Sequence, residues 1–270
     1  MKLFVLIFPI LLASCASFNN PRQIKQASFD GLKFESLKRY DYTRLNPKLK
    51  LKNPLSMCHN QDFEAAHKIF KAQLDAKKDN YLYWNQISTC YILEREYNKA
   101  KNFLNLALAA AKTNTQKSII LNNMGVVQLE TENFHEAKEY FKKSIELSNK
   151  ALTPKFNLTQ VYLKFGLYRK ANDELNFLLA KNPQDIDFLN SKAYLELMQK
   201  NYKQALTFFN KIPKEYRSRD DIATNMAMTY FMLGLYDNSK QSLSNADKKD
   251  SFYTAKQLEI TKELDKKTRK

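Results

Sequence analysis

The side chains that could carry out catalytic or metal chemistry are few in this chain of 270 residues. Its three histidines are His59, His67 and His135, and no pair has the short spacing that zinc ligands share. A serine or cysteine nucleophile would also need a histidine and an orienting acid, which this pattern does not supply. With only 4 glycines the sequence lacks a glycine-rich phosphate loop. We therefore expect no metal site, no cofactor and no catalytic residue, and hence a protein that is not an enzyme.

Cys15 follows a segment with the features of an export signal. Lys2 gives a positive start, and residues 3–13 form an apolar run too short for a typical membrane-spanning helix. The run leads into the letters LASC at residues 12–15, which resemble a bacterial lipobox. That resemblance implies removal of residues 1–14, attachment of diacylglycerol to the Cys15 sulfur, and acylation of the new amine by a chain such as palmitate. The alternative is an ordinary secretory signal that contains a cysteine by chance.

Residues 15–54 would then form a lipidated basic tether. Asn, Pro and Gly interrupt any helical pattern there, and nine Lys or Arg stand against three Asp or Glu between residues 16 and 54. The tether is either an arm that binds anionic lipid or a solvated spacer. Ala16 follows the cysteine where many inner-membrane lipoproteins carry aspartate. This analogy favours the outer membrane, facing the periplasm.

The whole chain is basic, with 44 Lys and Arg against 28 Asp and Glu and a net charge of +16. Such a positive charge in a cytosolic protein would suggest that it binds nucleic acid, but the export signal argues against that partner. The polyanions outside the cytoplasm are lipid head groups and envelope polymers. The equally simple interpretation is a solvated lysine-rich surface that favours solubility.

A small residue preceded three positions earlier by an aromatic one recurs along most of the chain, at intervals of 34 residues with one interval of 37. The small residues are Ala66, Ala100, Ala137, Ala171, Ala205 and Ser239. The fourth residue after each is apolar: Phe70, Leu104, Phe141, Leu175, Phe209 and Leu243. Residues three and four apart share a helix face, so the pattern predicts a helix that packs closely on a preceding one.

These units resemble the tetratricopeptide repeat (TPR), a helix-turn-helix repeat of 34 residues. Gly125 and Ala137 stand where the family places small residues at the helix crossing, and Trp84, Ile87 and Tyr91 are similar to its first-helix signature. The resemblance covers residues 55–253. It implies an all-α fold, a right-handed α-solenoid with a C-terminal capping helix.

Five well-formed units are expected to begin at residues 81, 118, 152, 186 and 220, after one degenerate unit in which Pro54 takes the place of the family's glycine. Residues 254–270 suit the capping helix, with Leu258, Ile260 and Leu264 as its docking residues. Cys58 and Cys90 lie in the leading segments of adjacent units, which are neighbours in TPR stacking. In an oxidising compartment they would form a disulfide; the alternative is two buried thiols.

The resemblance also implies a peptide groove, lined by first-helix residues at unit positions 5 and 9. These residues are Asn85, Thr89, Asn122, Val126, Phe156, Gln160, Asn190, Tyr194, Thr224 and Met228. Their lining is polar but uncharged, which suits the backbone of an extended peptide. The alternative is that several of them hold adjacent repeats together, as we expect for Asn123, Asn157 and Asn225.

The resulting expectation is a non-catalytic, membrane-anchored scaffold that binds a partner protein or peptide. In architecture the chain resembles pilotin-like TPR lipoproteins, which implies a role in assembling an envelope machine such as a pilus secretin. A second hypothesis is an adaptor for peptidoglycan hydrolases or outer-membrane protein insertion. A third, from another class, is an enzyme accessory or hydrolase. No nucleic acid partner is expected.

Overall fold

The computed structural model describes residues 54–248 and 251–268, and every regular element in these ranges is a helix. The predicted signal, the Cys15 lipidation site and the tether up to residue 53 lie outside the described residues. None of the described helices has the length and apolar character needed to cross a membrane. The prediction of an all-α solenoid of paired helices with a closing helix is confirmed.

The first unit consists of three short helices: α1 (Pro54–His59), α2 (Phe63–Ala72) and α3 (Leu74–Lys77). The next five units are pairs: α4 (Tyr81–Leu93) and α5 (Tyr97–Ala110), α6 (Asn114–Glu130) and α7 (Phe134–Leu147), α8 (Leu152–Lys164) and α9 (Tyr168–Lys181), α10 (Ile186–Met198) and α11 (Tyr202–Lys211), α12 (Asp220–Met232) and α13 (Tyr236–Ser244). A 3-10 turn, Lys214–Tyr216, precedes α12, and α14 (Ser251–Thr268) ends the stack.

A residue in the left-handed conformation joins the two helices of every unit. Its φ lies between 62° and 74° in Gln61, Arg95, Glu132, Gly166, Lys200 and Gly234, which occupy the same position of their units. The N–H of the next residue donates to a carbonyl five residues back at 2.8–2.9 Å in all six turns. This bond closes the first helix and holds even bulky residues in a conformation that glycine adopts most easily.

Small residues at the helix crossings make room for the second helix. A Cβ on Gly125 would lie 2.5 Å from Cε1 of Phe141, so the glycine accommodates that ring. In the second unit Ser88 Oγ donates to the carbonyl of Ala100 at 3.1 Å. The sequence analysis placed Gly125 at the crossing but did not identify Phe141 as the residue that needs its space.

The closing helix α14 covers the last unit. Tyr253, Gln257, Ile260 and Leu264 recur every three or four residues and are buried, as one face of a helix should be. Ile260 and Leu264 pack with Ala227 and Leu243 of the last pair, as docking residues should. The prediction that Leu258 also docks is wrong, since this side chain is 56% exposed. Leu258 follows Gln257 by one residue and so points about 100° away from the buried face.

Candidate functional site

The first helices α4, α6, α8, α10 and α12 lie side by side, each in contact with the next, and form one face of the solenoid. Asparagines join them across this first-helix face. In each such pair an amide nitrogen of one unit donates to the amide oxygen of the unit before: Asn123 to Asn85 at 3.0 Å, Asn157 to Asn122 at 2.8 Å, and Asn225 to Asn190 at 3.3 Å. We call this row the asparagine ladder.

The ladder has one substitution in the middle of the stack. Phe156 stands where the other units carry a ladder asparagine or threonine, and its ring lies 5.5 Å from that of Phe188 in the next first helix. Gln160, one helical turn later, donates to Ser191 Oγ at 2.9 Å. Between α8 and α10 the asparagine pair is therefore replaced by the aromatic contact of Phe156 and by the hydrogen bond from the longer side chain of Gln160.

Half of the predicted groove residues are part of these contacts between repeats. Eight of the ten are buried: Asn85, Thr89, Asn122, Val126, Phe156, Gln160, Asn190 and Thr224. A peptide backbone cannot reach amides that the neighbouring helix already covers. The contacts between adjacent repeats described above include five of the eight, as the alternative interpretation has it for several of these residues: Asn85, Asn122, Phe156, Gln160 and Asn190. Thr224 accepts a hydrogen bond from Gln257 of α14 at 3.0 Å, and Thr89 and Val126 are buried within the stack. Tyr194 and Met228 are half-buried.

Accessible apolar side chains of the first helices occur on α10 and α12. One turn after Tyr194 comes Met198, which is 37% exposed, and one turn after Met228 comes Met232, which is 45% exposed. Residues four apart share a helix face, so each of the two helices presents a pair of apolar side chains. We call the four side chains together the apolar strip. Met198 and Met232 were not among the predicted groove residues, although the same i+4 spacing would have indicated them. Methionine side chains adapt to irregular apolar surfaces, which suits the binding of another chain.

A charged cluster fixes the start of α12 against α10. Arg219 donates through Nε and Nη2 to both carboxylate oxygens of Asp221, and through Nη1 to Asp187, each at 2.7 Å. Asn190 of the ladder donates to the same Asp221 carboxylate at 2.8 Å. Burial opposes the charge of the guanidinium, but the Asp221 and Asp187 carboxylates outweigh it and raise the pKa of Arg219. The helices that carry the apolar strip are therefore rigidly spaced.

Two further groups capable of acid–base chemistry, His67 and Lys192, have structural partners. His67 Nε2 lies 2.8 Å from Glu94 Oε2, and its ring stacks on Tyr91. The buried Lys192 ammonium lies 3.1 Å from Glu196 Oε1 and donates to Asn172. Within residues 54–248 and 251–268, no three His, Cys, Asp or Glu side chains are grouped to hold a metal ion.

The two cysteines of the repeats meet at the N-terminal end of the stack. The Sγ atoms of Cys58 and Cys90 are 2.07 Å apart, and the bond links α1 to α4. Both residues are buried beside Ala66, Phe70 and Ile87. The disulfide therefore joins the shortened first unit to the first complete pair of helices.

The sequence profile of the tetratricopeptide repeat family matches residues 119–150, which cover most of α6 and α7. No curated protein matches the sequence.

The fold is similar to several solved TPR structures. A tetratricopeptide repeat protein from Parabacteroides merdae has a TM-score of 0.62 and 14% identity, with 89% of this chain and 98% of that one covered. PilW, a widely conserved type IV pilus biogenesis factor, has a TM-score of 0.58 and 19% identity, covering 71% and 87%. The pilF protein of Pseudomonas aeruginosa has a TM-score of 0.57 and 14% identity, covering 88% and 98%. The chain thus has the TPR solenoid fold and carries at least one recognisable TPR repeat.

Proposed function

We propose that this protein is a non-catalytic, membrane-anchored TPR scaffold that binds a partner protein along its first-helix face. The observation that carries the proposal is the apolar strip of Tyr194, Met198, Met228 and Met232. These side chains remain accessible on helices that the asparagine ladder and Arg219 hold in fixed register. A preformed apolar surface on a rigid support binds a partner with little loss of conformational entropy.

The strip favours apolar side chains of the partner over an acidic terminus. It contains no lysine or arginine, and the nearby Arg219 is already neutralised by Asp221 and Asp187. A carboxylate would therefore find no cation within the strip itself, and the uncommitted Lys200 lies at its end, in the turn after Met198. The partner segment is therefore an amphipathic helix or an extended stretch with large apolar side chains, which the thioethers can surround.

The proposed setting is the periplasmic face of the outer membrane. Diacylglycerol on Cys15 and a further acyl chain would hold the protein there, because each buried methylene contributes about 0.8 kcal/mol and two or more chains are needed for stable anchoring. The fold shared with PilW and pilF makes a pilus machine, such as a secretin, the first candidate for the assembly that the scaffold assists.

Site-specific cross-linking tests the partner. A photoreactive phenylalanine analogue would replace Met228 in the strip, or Leu106, which is 45% exposed on the second helix α5, as the control. After irradiation of living cells, we expect a discrete envelope protein cross-linked at residue 228 and not at residue 106. Cross-linking of the same proteins at both positions, or at neither, would contradict the proposal. A peptidoglycan hydrolase or insertion factor at residue 228 would replace the pilus assignment but retain the scaffold.

The anchor has a separate test. Cys15→Ser should move the protein from the membrane fraction to the soluble fraction after export. Sedimentation with the membranes that this substitution leaves unchanged, even after a high-salt wash, would argue for a means of attachment other than lipid on Cys15.

A further inference from the structure

The turn between α8 and α9 carries two exposed apolar residues at its tip. Phe165 is 55% exposed and Leu167 is 43% exposed, on either side of Gly166, whose φ of +67° forms the turn. Phe165 lies edge-on to Phe134 of the preceding unit at 5.4 Å between ring centroids. Adjacent exposed apolar side chains that polar residues surround mark a surface to which something else binds.

Cations surround this tip. The segments 164–170 and 198–204, from the turns of two successive units, contain five Lys or Arg and no Asp or Glu. All five are exposed, and none of them forms an ion pair within the described part of the chain: Lys164, Arg169, Lys170, Lys200 and Lys203. We call these residues, together with Phe165 and Leu167, the basic turn edge.

The neighbouring turn has the opposite charge. Residues 130–136, between α6 and α7, contain three glutamates and no Lys or Arg. Lys164 of the basic turn edge contacts this acidic turn, because its Nζ lies 4.7 Å from the centroid of the Phe134 ring. A surface that attracts the basic turn edge would therefore be repelled by the turn of the preceding unit.

We propose that the basic turn edge contacts an anionic lipid bilayer. Phe165 and Leu167 would enter the interface between head groups and acyl chains, while the five cations lie at the level of the lipid phosphates. A bilayer fits these residues because two exposed apolar side chains beside five cations match acyl chains that lie beneath anionic head groups. The segment 16–54 of this chain carries a net charge of +6 and would be repelled.

This contact would orient the solenoid. With the turn between α8 and α9 at the membrane, α9 runs away from it, so that Phe177 lies about 14 Å along the helix from the turn. Phe177 is a suitable comparison because it is also exposed, and Lys155 and Lys181 lie 5.1 and 5.7 Å from its ring centroid. The proposal is independent of the groove and of the lipid on Cys15, since either could fail without affecting the turn.

Tryptophan fluorescence of the full chain in vesicles tests the proposal. The native Trp84 would be replaced by Phe, and Phe165→Trp would be compared with Phe177→Trp in vesicles with and without phosphatidylglycerol. Phe165→Trp should shift to the blue and be quenched by brominated lipid, only in anionic vesicles and less at high salt. Phe177→Trp should do neither. If Trp84→Phe lowers the melting temperature, Trp84 would be kept. The spectrum of the protein without an added tryptophan would then be subtracted from that of each variant.

Charge variants supply a second measurement. Lys164→Gln and Lys170→Gln should each reduce the membrane-contacting population of the Phe165→Trp protein roughly fivefold, whereas Lys181→Gln should leave it unchanged. Unchanged emission of Phe165→Trp on addition of anionic vesicles would overturn the proposal. So would equal quenching at residues 165 and 177, or quenching in neutral vesicles that the lysine variants do not alter.

Discussion

Asn157 donates a 2.8 Å hydrogen bond from Nδ2 to Oδ1 of Asn122, 35 residues earlier in the chain. Both side chains are fully buried, on adjacent first helices. The same kind of bond recurs in three pairs of first helices, so the face that would otherwise offer free amides to a ligand uses them to connect repeats. This arrangement makes those amides unavailable to a ligand.

Each hydrogen bond of the asparagine ladder should contribute more to stability the more deeply its two side chains are buried. Asn157→Ala removes a donor from a fully buried site and should lower the free energy of unfolding by about 1–3 kcal/mol, as measured by urea denaturation. Asn225→Ala is the matched control, because that residue is half-buried and its bond to Asn190 is longer at 3.3 Å. Equal losses in the two variants would contradict the account.

Gly125 should be intolerant of a methyl group only while Phe141 is present. Gly125→Ala places a Cβ 2.5 Å from the Phe141 ring and should cost on the order of 1–3 kcal/mol by overpacking. Leu175 stands at the position of Phe141 in the next unit, where Thr159 replaces the glycine. Adding Phe141→Leu should therefore relieve the strain, and the double variant should lose less than the sum of the two single losses. Strict additivity in thermal or urea unfolding would count against the crossing as described.

The Arg219 cluster should matter far more than surface ion pairs of equal length. Arg219→Leu leaves the Asp221 side chain, 2% exposed, without its charged partner, and should cost about 3–5 kcal/mol. Lys266 lies 2.6 Å from Glu263, but both side chains are more than half exposed. Lys266→Ala should change stability by about 0–1 kcal/mol. Similar effects of the two substitutions would show that the cluster is not screened from solvent as the structure indicates.

The bond between Cys58 and Cys90 should leave no free thiol in the Cys15→Ser protein. Titration after denaturation without reductant should count none, and titration after reduction should count two. In the loop-entropy model a link across 32 residues contributes about 3.5–4 kcal/mol. Reduction should therefore lower the unfolding midpoint, with the Cys58→Ser, Cys90→Ser double variant as the control that reductant does not affect. Two reactive thiols before reduction would show that Cys58 and Cys90 do not form a disulfide.

The sequence predicted the helix pairs well because their determinants are local. An aromatic residue, a small residue and an apolar residue at fixed spacing specify one helix face, as at Tyr168, Ala171 and Leu175. The turns were less apparent. Only Gly166 and Gly234 of the six left-handed turn residues are glycines, and the other four are held by a backbone hydrogen bond that no side chain encodes.

The site could be predicted only in part, because exposure depends on the distance between repeats. Val126 and Tyr194 both occupy the ninth position of their units, yet Val126 is buried in the core and Tyr194 remains half-exposed. Arg219 was not predicted at all. It lies in the connection before α12, and its partner Asp187 is 32 residues earlier, so no local spacing indicates the pair.

Binding of the partner identified by cross-linking at residue 228 tests the central claim most directly. The lipidated protein, its Tyr194→Ser, Met228→Ser double variant and its Leu106→Ser control would each be used to capture that partner from solubilised membranes. We predict capture by the wild-type protein and the Leu106→Ser control, and a loss of at least about tenfold in the double variant, equivalent to 1.4 kcal/mol. Equal capture by all three, with their helical content unchanged, would contradict a binding role for the apolar strip.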